Sequence, residues 1–339
     1  MMRIALVTSR EALALDEDMP PLAAALSRSG ALVATPCWDD AGVDWSQFDV
    51  AVLRSTWDYV GRIDEFLAWT ERCARATRLE NPSAVVRWNT DKHYLADLAR
   101  AGVPVVPTRF VEPASDATAA LSGFLAARPG ALSIGAPVSF AEFVVKPSIG
   151  AGSRDAARYR CEDAGRALAH LSRLVASGRS AMLQPYLEHV DLHGETAVIC
   201  FGGRYSHAIR KGPLLRIGDP LVAGLFAPEQ IEPREPDAGE RDIAAAALRA
   251  IPFDPPLYAR VDLIRCPQGA PMVLELELTE PSLFFAHAPE AAARLATAIL
   301  EARTHAHDLR RPLHLPIGPL PDHERTAVRA LLSLSMVPA

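Results

Sequence analysis

LYARVDLIRCPQGAPMVLELELTEP, residues 257–281, sets two apolar-rich runs on either side of a Pro-Gln-Gly turn. Alternation with period two around a turn predicts a β-hairpin, because successive side chains of a strand point to opposite faces. With the turn centred between Gln268 and Gly269, Asp262 stands opposite Glu275 and Arg260 opposite Glu277. Those four share one face, and Leu274, Leu276 and Leu278 share the other. Directly opposed β-carbons lie about 4.5–5.5 Å apart, so like charges there oppose folding. A strand this apolar holds facing acids if a cation lies between them, whereas a solvated acidic face would carry fewer leucines. An all-oxygen donor set beside a phosphate favours Mg²⁺, which takes one or two carboxylates.

The lysines point to the phosphate. Of 35 Lys and Arg, only three, Lys92, Lys146 and Lys211, are lysine. A chain that prefers arginine this strongly keeps a lysine where a compact ammonium is wanted in place of a planar fork. Lys92 is expected in the first turn of a helix capped by Asn89 or Thr90 and ended at Gly102, where the helix dipole disfavours a cation unless an anion is near. Lys146 ends a strand in FVVKPSIGAGS (143–153), ahead of Ser148, Gly150, Gly152 and Ser153, small residues that let N–H groups approach phosphate oxygens. Lys211 follows Arg210 in the hairpin segment AIRK. Chance retention explains any one of them, and a glycine-rich turn alone is more often only a turn. The shared setting of all three predicts a polyphosphate. Both GxxxxGK[ST] and GxGxxG are absent, which excludes a Walker A loop and gives dinucleotide binding no support.

Outside these stretches the chain reads as alternating α and β. Residues 3–9, 31–36 and 49–55 read as strands and 20–30 and 63–76 as helices, a pattern that means a parallel sheet covered by helices. Ligands of such sheets sit beyond the carboxyl ends of the strands. There the third strand delivers RSTWDY, with Arg54, Ser55, Thr56, Trp57 and Asp58 as candidate substrate contacts and a capped turn as the plainer alternative. Helices are expected near 115–127, 164–178, 239–250 and 288–303, and a hairpin on Gly202-Gly203. Residues 213–237 read as a long loop, and 189–193 as a loop whose His189 and His193 make a weak metal pair.

Length and composition bound the rest. A chain of 339 residues, 49% hydrophobic and 22% charged, is long for one core, so two or three lobes are expected. Net charge −6 without a basic cluster argues against nucleic acid. No apolar run approaches a membrane span and no cleavable leader is evident, so a cytoplasmic enzyme is expected. Five scattered cysteines, an odd number with no CxxC, read as reduced thiols.

Taken in order, the lysine at a helix start, VVKPSIGAGS, LQPYLE, AIRK, ARVD and LELELTEP resemble the motifs of the ATP-grasp ligases, most like their glutathione-synthetase and D-alanine-D-alanine ligase relatives. RSTWDY, WNTDK and ExExxEP look closest to a subgroup that includes the D-cycloserine-forming cyclo-ligase. The resemblance covers residues 1 to about 303. It implies an α/β ATP-grasp fold, an N-terminal parallel α/β lobe (1–88) with two α+β lobes (89–188 and 189–310) sandwiching the nucleotide. Residues 311–339 would be a proline-rich connector and a terminal helix. It implies ATP gripped by Lys92 and Lys146 under the glycine loop, with Gln184, Tyr186 and Leu187 as the adenine hinge and Asp191 at the ribose. Mg²⁺, one or two ions with Mn²⁺ as a substitute, would sit on Asp262, Glu275 and Glu277, and Arg260, Arg210 and Lys211 over the transferring phosphoryl group. Two positions depart from the family pattern. Glu277 stands where many relatives carry asparagine, and Glu280, a candidate substrate contact, where small residues are common.

The activity so implied is carboxylate–amine ligation through an acyl phosphate, releasing ADP and phosphate. An intramolecular cyclo-ligase and a non-catalytic ATP-binding regulator are the alternatives. The expected partner is a small amino acid or short peptide, with neither nucleic acid nor membrane, and a homodimer is left open.

Overall fold

The computed structural model describes residues 1–126, 140–221, 225 and 229–309, with side chains described to residue 302. The segment 311–339, read from sequence as connector and helix, lies outside the described residues, as does part of the 213–237 loop. Met1–Ile299 form one compact unit, and Leu300–Ala339 group separately, described only as the end of a helix.

Three sheets build the larger unit. The first is parallel, in the order β2-β1-β3-β4, from β1 (Arg3–Thr8), β2 (Leu32–Ala34), β3 (Val50–Ser55) and β4 (Arg78–Glu80). Helices α1 (Met19–Arg28) and α2 (Ile63–Ala76) cover it, α1 opening on prolines that give up only N–H groups a first turn leaves unbonded. Its core is an aromatic cluster in which Tyr59, Phe66 and Trp69 stack and Trp38 meets Phe66 edge-on.

Next come α3 (Ser83–Asn89) and α4 (Tyr94–Arg100). The single helix expected from Asn89 to Arg100 is therefore two, and Lys92 lies in the turn between them. Asn89 is spent elsewhere: its Nδ2 donates to Leu276 O at 2.8 Å and its Oδ1 accepts from Leu278 N at 2.7 Å. The turn brings Lys92 N onto Ser148 O at 3.0 Å, against the glycine loop.

The second sheet is antiparallel, β5-β8-β6-β7, with β5 (Arg109–Val111), β6 (Glu142–Pro147), β7 (Ala157–Arg160) and β8 (Ala181–Pro185). It is backed by α5 (Ala117–Leu125), capped by the Asp116 carboxylate, and by α6 (Ala164–Ala176). A short helix α7 (His189–His193) stands where a loop was expected.

The third sheet, β11-β10-β9-β12-β13, is antiparallel. It comprises β9 (Glu195–Phe201), β10 (Arg204–Lys211), β11 (Ile231–Arg234), β12 (Tyr258–Arg265) and β13 (Pro271–Glu277), with α8 (Ala238–Arg249) on its apolar face. The chain continues to α9 (Ala291–Leu309). β9 and β10 turn on Gly202 and Gly203, at φ 55° and 73°, the left-handed geometry a two-residue hairpin needs. β11 arises inside the stretch read as irregular; its Pro233 is tolerated on an outermost strand, where a missing N–H breaks no ladder.

The hairpin of residues 257–281 forms in the expected register, Asp262 opposite Glu275 and Arg260 opposite Glu277. The register shifts between Asp262 and Leu263, a β-bulge that re-aims Leu274. Leu276 and Leu278 enter the core under α3, α4 and α8, as expected, whereas Leu274 turns to the opposite side and packs near Ile264, Val144 and Tyr186. Among the described residues no helix is long and apolar enough to cross a membrane.

Candidate active site

A cavity of about 420 Å³ opens between the second and third sheets, closed at one end by the first. One end of it is apolar. Val144 from β6, Tyr186, Leu187 and Val190 after β8, and Ile264 from β12 form one buried cluster, with Leu215 and Leu274 packed on it. Gln184 lines this end, its Nε2 donating to Thr108 Oγ1 at 2.9 Å. The Arg158 guanidinium lies 3.3 Å from the Tyr186 ring centroid and also binds Glu142 and the Leu215 carbonyl. Asp191 is not on the lining; Tyr186 Oη donates to it at 2.5 Å and Arg158 pairs with it at 3.3 Å.

The other end is charged, and the strands explain it. Lys146, on β6, is directed into the cavity beside Gly150, Gly152 and Ser153, and its ammonium has no ion pair or hydrogen bond among the described residues. Burial depresses its pKa, partly offset by Glu275. Lys92 donates to Gly150 O at 2.9 Å and pairs with Glu275 Oε1 at 3.0 Å, so it ties the glycine loop to the hairpin. Ser148 turns away; its hydroxyl serves Asp91. Lys211 reaches Asp262 Oδ2 at 2.7 Å and Glu195 Oε2 at 3.0 Å. Glu195, unselected in the sequence, is the cross-strand partner of Lys211, a signal the hairpin register carries.

Arg210 is not in the cavity. Adjacent residues of a strand face opposite ways, and with Lys211 inside, the Arg210 guanidinium donates to His193 O at 2.9 Å and Leu192 O at 3.3 Å on the far face. Gly194 lets this corner close: a Cβ there would stand 2.4 Å from Lys211 O, at φ +70°.

Arg260 does lie in the cavity, and it gathers the acids. Its Nε meets Asp262 Oδ1 at 2.9 Å, its Nη2 reaches Asp262 and Glu277, and its Nη1 donates to Ser282 O at 3.1 Å. Against the burial that would raise it, Arg260 and Lys211 hold Asp262 down at about 2. Glu277 goes the other way, pushed up to about 8 by burial and by Glu275 and Asp262 despite Arg260. The three acids do not converge on one point, and among the described residues no group of His, Cys, Asp or Glu is gathered to hold an ion. Yet the donor set is all oxygen, Glu275 and Glu277 each keep one oxygen free of a protein ion pair, and their mutual repulsion is what a divalent cation relieves. The residues fit Mg²⁺. His189 and His193, 5.7 Å apart ring to ring, gather no third ligand among the described residues.

RSTWDY splits in two. Trp57 lines the cavity, as does the neighbouring Tyr59. Arg54 does not: it is fully buried behind the lining, with Nη2 on Pro281 O at 3.1 Å and Asp18 at 3.9 Å. Ser55 Oγ pairs with Thr8 Oγ1 at 2.7 Å, and Thr56 is buried. Asp58 is held by Trp38 Nε1 at 2.8 Å and Arg62 at 2.6 Å. The strand ends where expected, but it buries its polar tip.

That tip secures the segment after β13. Tyr258 Oη donates to Thr279 O at 2.9 Å, Trp57 Nε1 to Glu280 O at 3.0 Å, and Arg54 to Pro281 O. The Asp18 carboxylate accepts the N–H groups of Leu283, Phe284 and Phe285 at 2.6, 3.1 and 2.7 Å. Glu280 is presented to the cavity beside the Tyr59 hydroxyl. Burial pushes Glu280 up to about 7, although the Tyr59 hydroxyl lowers it.

Two antiparallel sheets closing on a cleft, the glycine loop on one and the acid hairpin on the other, place the chain among the ATP-grasp ligases. Residues 4–81 match the family model described as D-cycloserine synthetase DcsG, N-terminal domain. The cycloserine biosynthesis protein DcsG of Streptomyces lavendulae is 46% identical over 303 residues, 88% of this chain and 98% of that one. The crystal structure of D-cycloserine synthetase DcsG superposes with a TM-score of 0.81 at 46% identity, over 88% of this chain and 99% of that one. The D-alanine–D-alanine ligase of Bacillus anthracis shares the fold, with a TM-score of 0.65 at 17% identity over 91% of this chain and all (100%) of that one. The chain belongs to the DcsG family of ATP-grasp ligases. It is an enzyme, which sets aside the non-catalytic alternative.

Proposed function

We propose that the enzyme is an ATP-dependent carbon–nitrogen ligase that activates the carboxylate of a small amino acid as an acyl phosphate, releasing ADP and phosphate as an amide forms. The observation that carries this is Lys146, a half-buried ammonium with no ion pair or hydrogen bond among the described residues, aimed into a cleft beside a glycine loop. A charge is left unpaired in the interior only where an anion completes it. The apolar slot of Val144, Leu187, Ile264 and the Arg158-backed Tyr186 suits a purine, with Gln184 beside it. Lys92 and Lys146, with Gly150, Gly152 and Ser153, would take the phosphates.

Mg²⁺ supplies neutralisation of the charge that develops on the transferring phosphoryl group. Asp262, Glu275 and Glu277 would hold one or two ions, with Mn²⁺ as a substitute. Arg260 and Lys211 keep Asp262 ionised, Lys92 and Lys146 do the same for Glu275, and Arg260 and Lys211 add positive charge where the phosphoryl group passes. Trp57, Glu280 and Ser282 line the remaining end and face the amino acid. Enclosure of that end by three lobes keeps water from the acyl phosphate.

The likeness to a D-cycloserine synthetase favours ring closure within one molecule, as on an O-ureido-serine, over ligation to a separate amine. ADP release is measured with MgATP and O-ureido-D-serine, O-ureido-L-serine, or a library of amino acids and dipeptides, products being read by mass spectrometry. ADP and a cyclised product from one amino acid alone are expected. ADP only when a second amine is added makes the enzyme an intermolecular ligase, and ADP with none of them overturns the proposal.

A further inference from the structure

We infer that Glu280 is the proton acceptor for the attacking nitrogen, held for that task by Tyr59 and by a segment whose backbone is fixed from the first sheet. The inference rests on the acyl-phosphate reading above and deepens it.

Three features of the cleft single out Glu280. Of the acids on the hairpin and its exit, Asp262, Glu275 and Glu277 are all engaged by Lys211, Arg260 or Lys92. Glu280 forms no ion pair among the described residues; its carboxylate faces a neutral hydroxyl, that of Tyr59, across the same cavity lining. A carboxylate clamped by a cation is a poor proton acceptor, and one held by a neutral hydroxyl keeps its basicity while its direction is set. Burial also raises Tyr59 well above its usual range, so the phenol stays a donor throughout.

The second feature is rigidity. Residues 279–285 form no strand, yet the carbonyls of Thr279, Glu280 and Pro281 are taken by Tyr258, Trp57 and Arg54, and the following N–H groups by Asp18. So many buried side chains spent on one loop fix where the Glu280 side chain leaves the backbone. The third is position. Arg260 holds both Glu277 and the carbonyl of Ser282, two residues beyond Glu280, so the loop is fastened directly beside the acids assigned to phosphoryl transfer.

The step balances with these groups alone. The nitrogen lone pair attacks the acyl carbon and the C–N bond forms. The C–O bond to phosphorus's oxygen breaks, its electron pair leaving on phosphate. The nitrogen's proton passes to Glu280, which returns it to solvent as product departs. A carboxyl pushed up to about 7 matches such a proton near neutrality.

The test separates activation from attack. With MgATP and O-ureido-D-serine, acyl phosphate is trapped as a hydroxamate by added hydroxylamine, a nucleophile reactive enough to need no enzymic base. Ring closure is followed by mass spectrometry. Glu280→Gln should lose ring closure by about 100-fold or more, the usual contribution of a positioned base, while hydroxamate still forms. Glu280→Asp should recover part of the closure. Equal loss of both signals, a raised KM with kcat intact (an ammonium anchor instead), or closure at the wild-type rate each overturns the inference. Absence of hydroxamate from the wild-type enzyme would instead sink the acyl-phosphate reading itself.

Discussion

Lys146 tests the site one residue at a time. A half-buried ammonium that meets no partner among the described residues costs the folded protein stability and serves when an anion arrives. Lys146→Met should therefore weaken ATP binding by roughly 10- to 100-fold, the 1.5–3 kcal/mol of a charged hydrogen bond, and leave thermal stability unchanged or higher. Lys146→Arg should also bind poorly, because a planar fork does not replace a compact ammonium. Calorimetry with ATP on both variants decides it, and unchanged affinity would remove the phosphate from this end. The lysines were legible because the chain's strong bias to arginine made each exception informative. Arg210 was misjudged although strand periodicity alone sets it against Lys211. Arg54 and Asp58 were not legible: a strand tip rich in polar groups reads alike whether it meets a ligand or, as here, the protein's own groups, Arg54 the Pro281 carbonyl and Asp58 the Trp38 indole.

At the scale of elements, β13 is an outermost strand whose far edge is closed at Val273 by the backbone of residues 104–106 and, beyond it, by side chains. Asn81 donates to Leu278 O at 2.7 Å, Tyr94 Oη accepts from Leu276 N at 2.9 Å, and Asn89 bonds both Leu276 O and Leu278 N. An open edge here would leave buried backbone groups unpaired. Asn89→Ala should destabilise the fold by about 1–3 kcal/mol for each group left without a partner, read from the midpoint of denaturant unfolding. Asn89→Asp should recover only the acceptor half, since a carboxylate cannot donate to Leu276 O. Alanine with wild-type stability would mean the edge is satisfied by other means. The hairpin was readable because alternation and a turn together fix register. The bulge at Leu274 was not, because one extra residue leaves the pattern of apolar positions almost unchanged while it moves a leucine to the cavity side. β11 escaped for a related reason: a short outer strand with a proline lacks periodicity and takes its pairing from β10.

Across the whole Met1–Ile299 unit, one residue links loops of all three sheets. Trp57, at the tip of the parallel sheet, donates its indole N–H to Glu280 O and accepts at its own carbonyl from Arg154 Nη2 at 2.9 Å, so the glycine loop and the segment after β13 meet through it. The loop is stiff where it makes this contact. Ser153 and Asp155 hold left-handed φ of 60° and 56°, a conformation such residues keep only when neighbours over-determine it, and Asp155 is pinned by Arg173 and Arg179 at 2.8 and 2.6 Å. Arg154, which also lines the cavity, then acts as a fastener between the proposed phosphate and amino-acid ends of the cleft. Its loss should loosen enclosure more than affinity. Arg154→Met is expected to bind ATP much as the wild type does, but to release more ADP per molecule of amide product, because water reaches the acyl phosphate before the nitrogen closes on it. The ratio of ADP to product, measured with MgATP and O-ureido-D-serine, should stay near one for the wild type and rise clearly for the variant. A ratio that does not move, with turnover also intact, would show that the contact between Arg154 and Trp57 contributes only to folding; a large fall in ATP affinity would instead put Arg154 among the phosphate ligands.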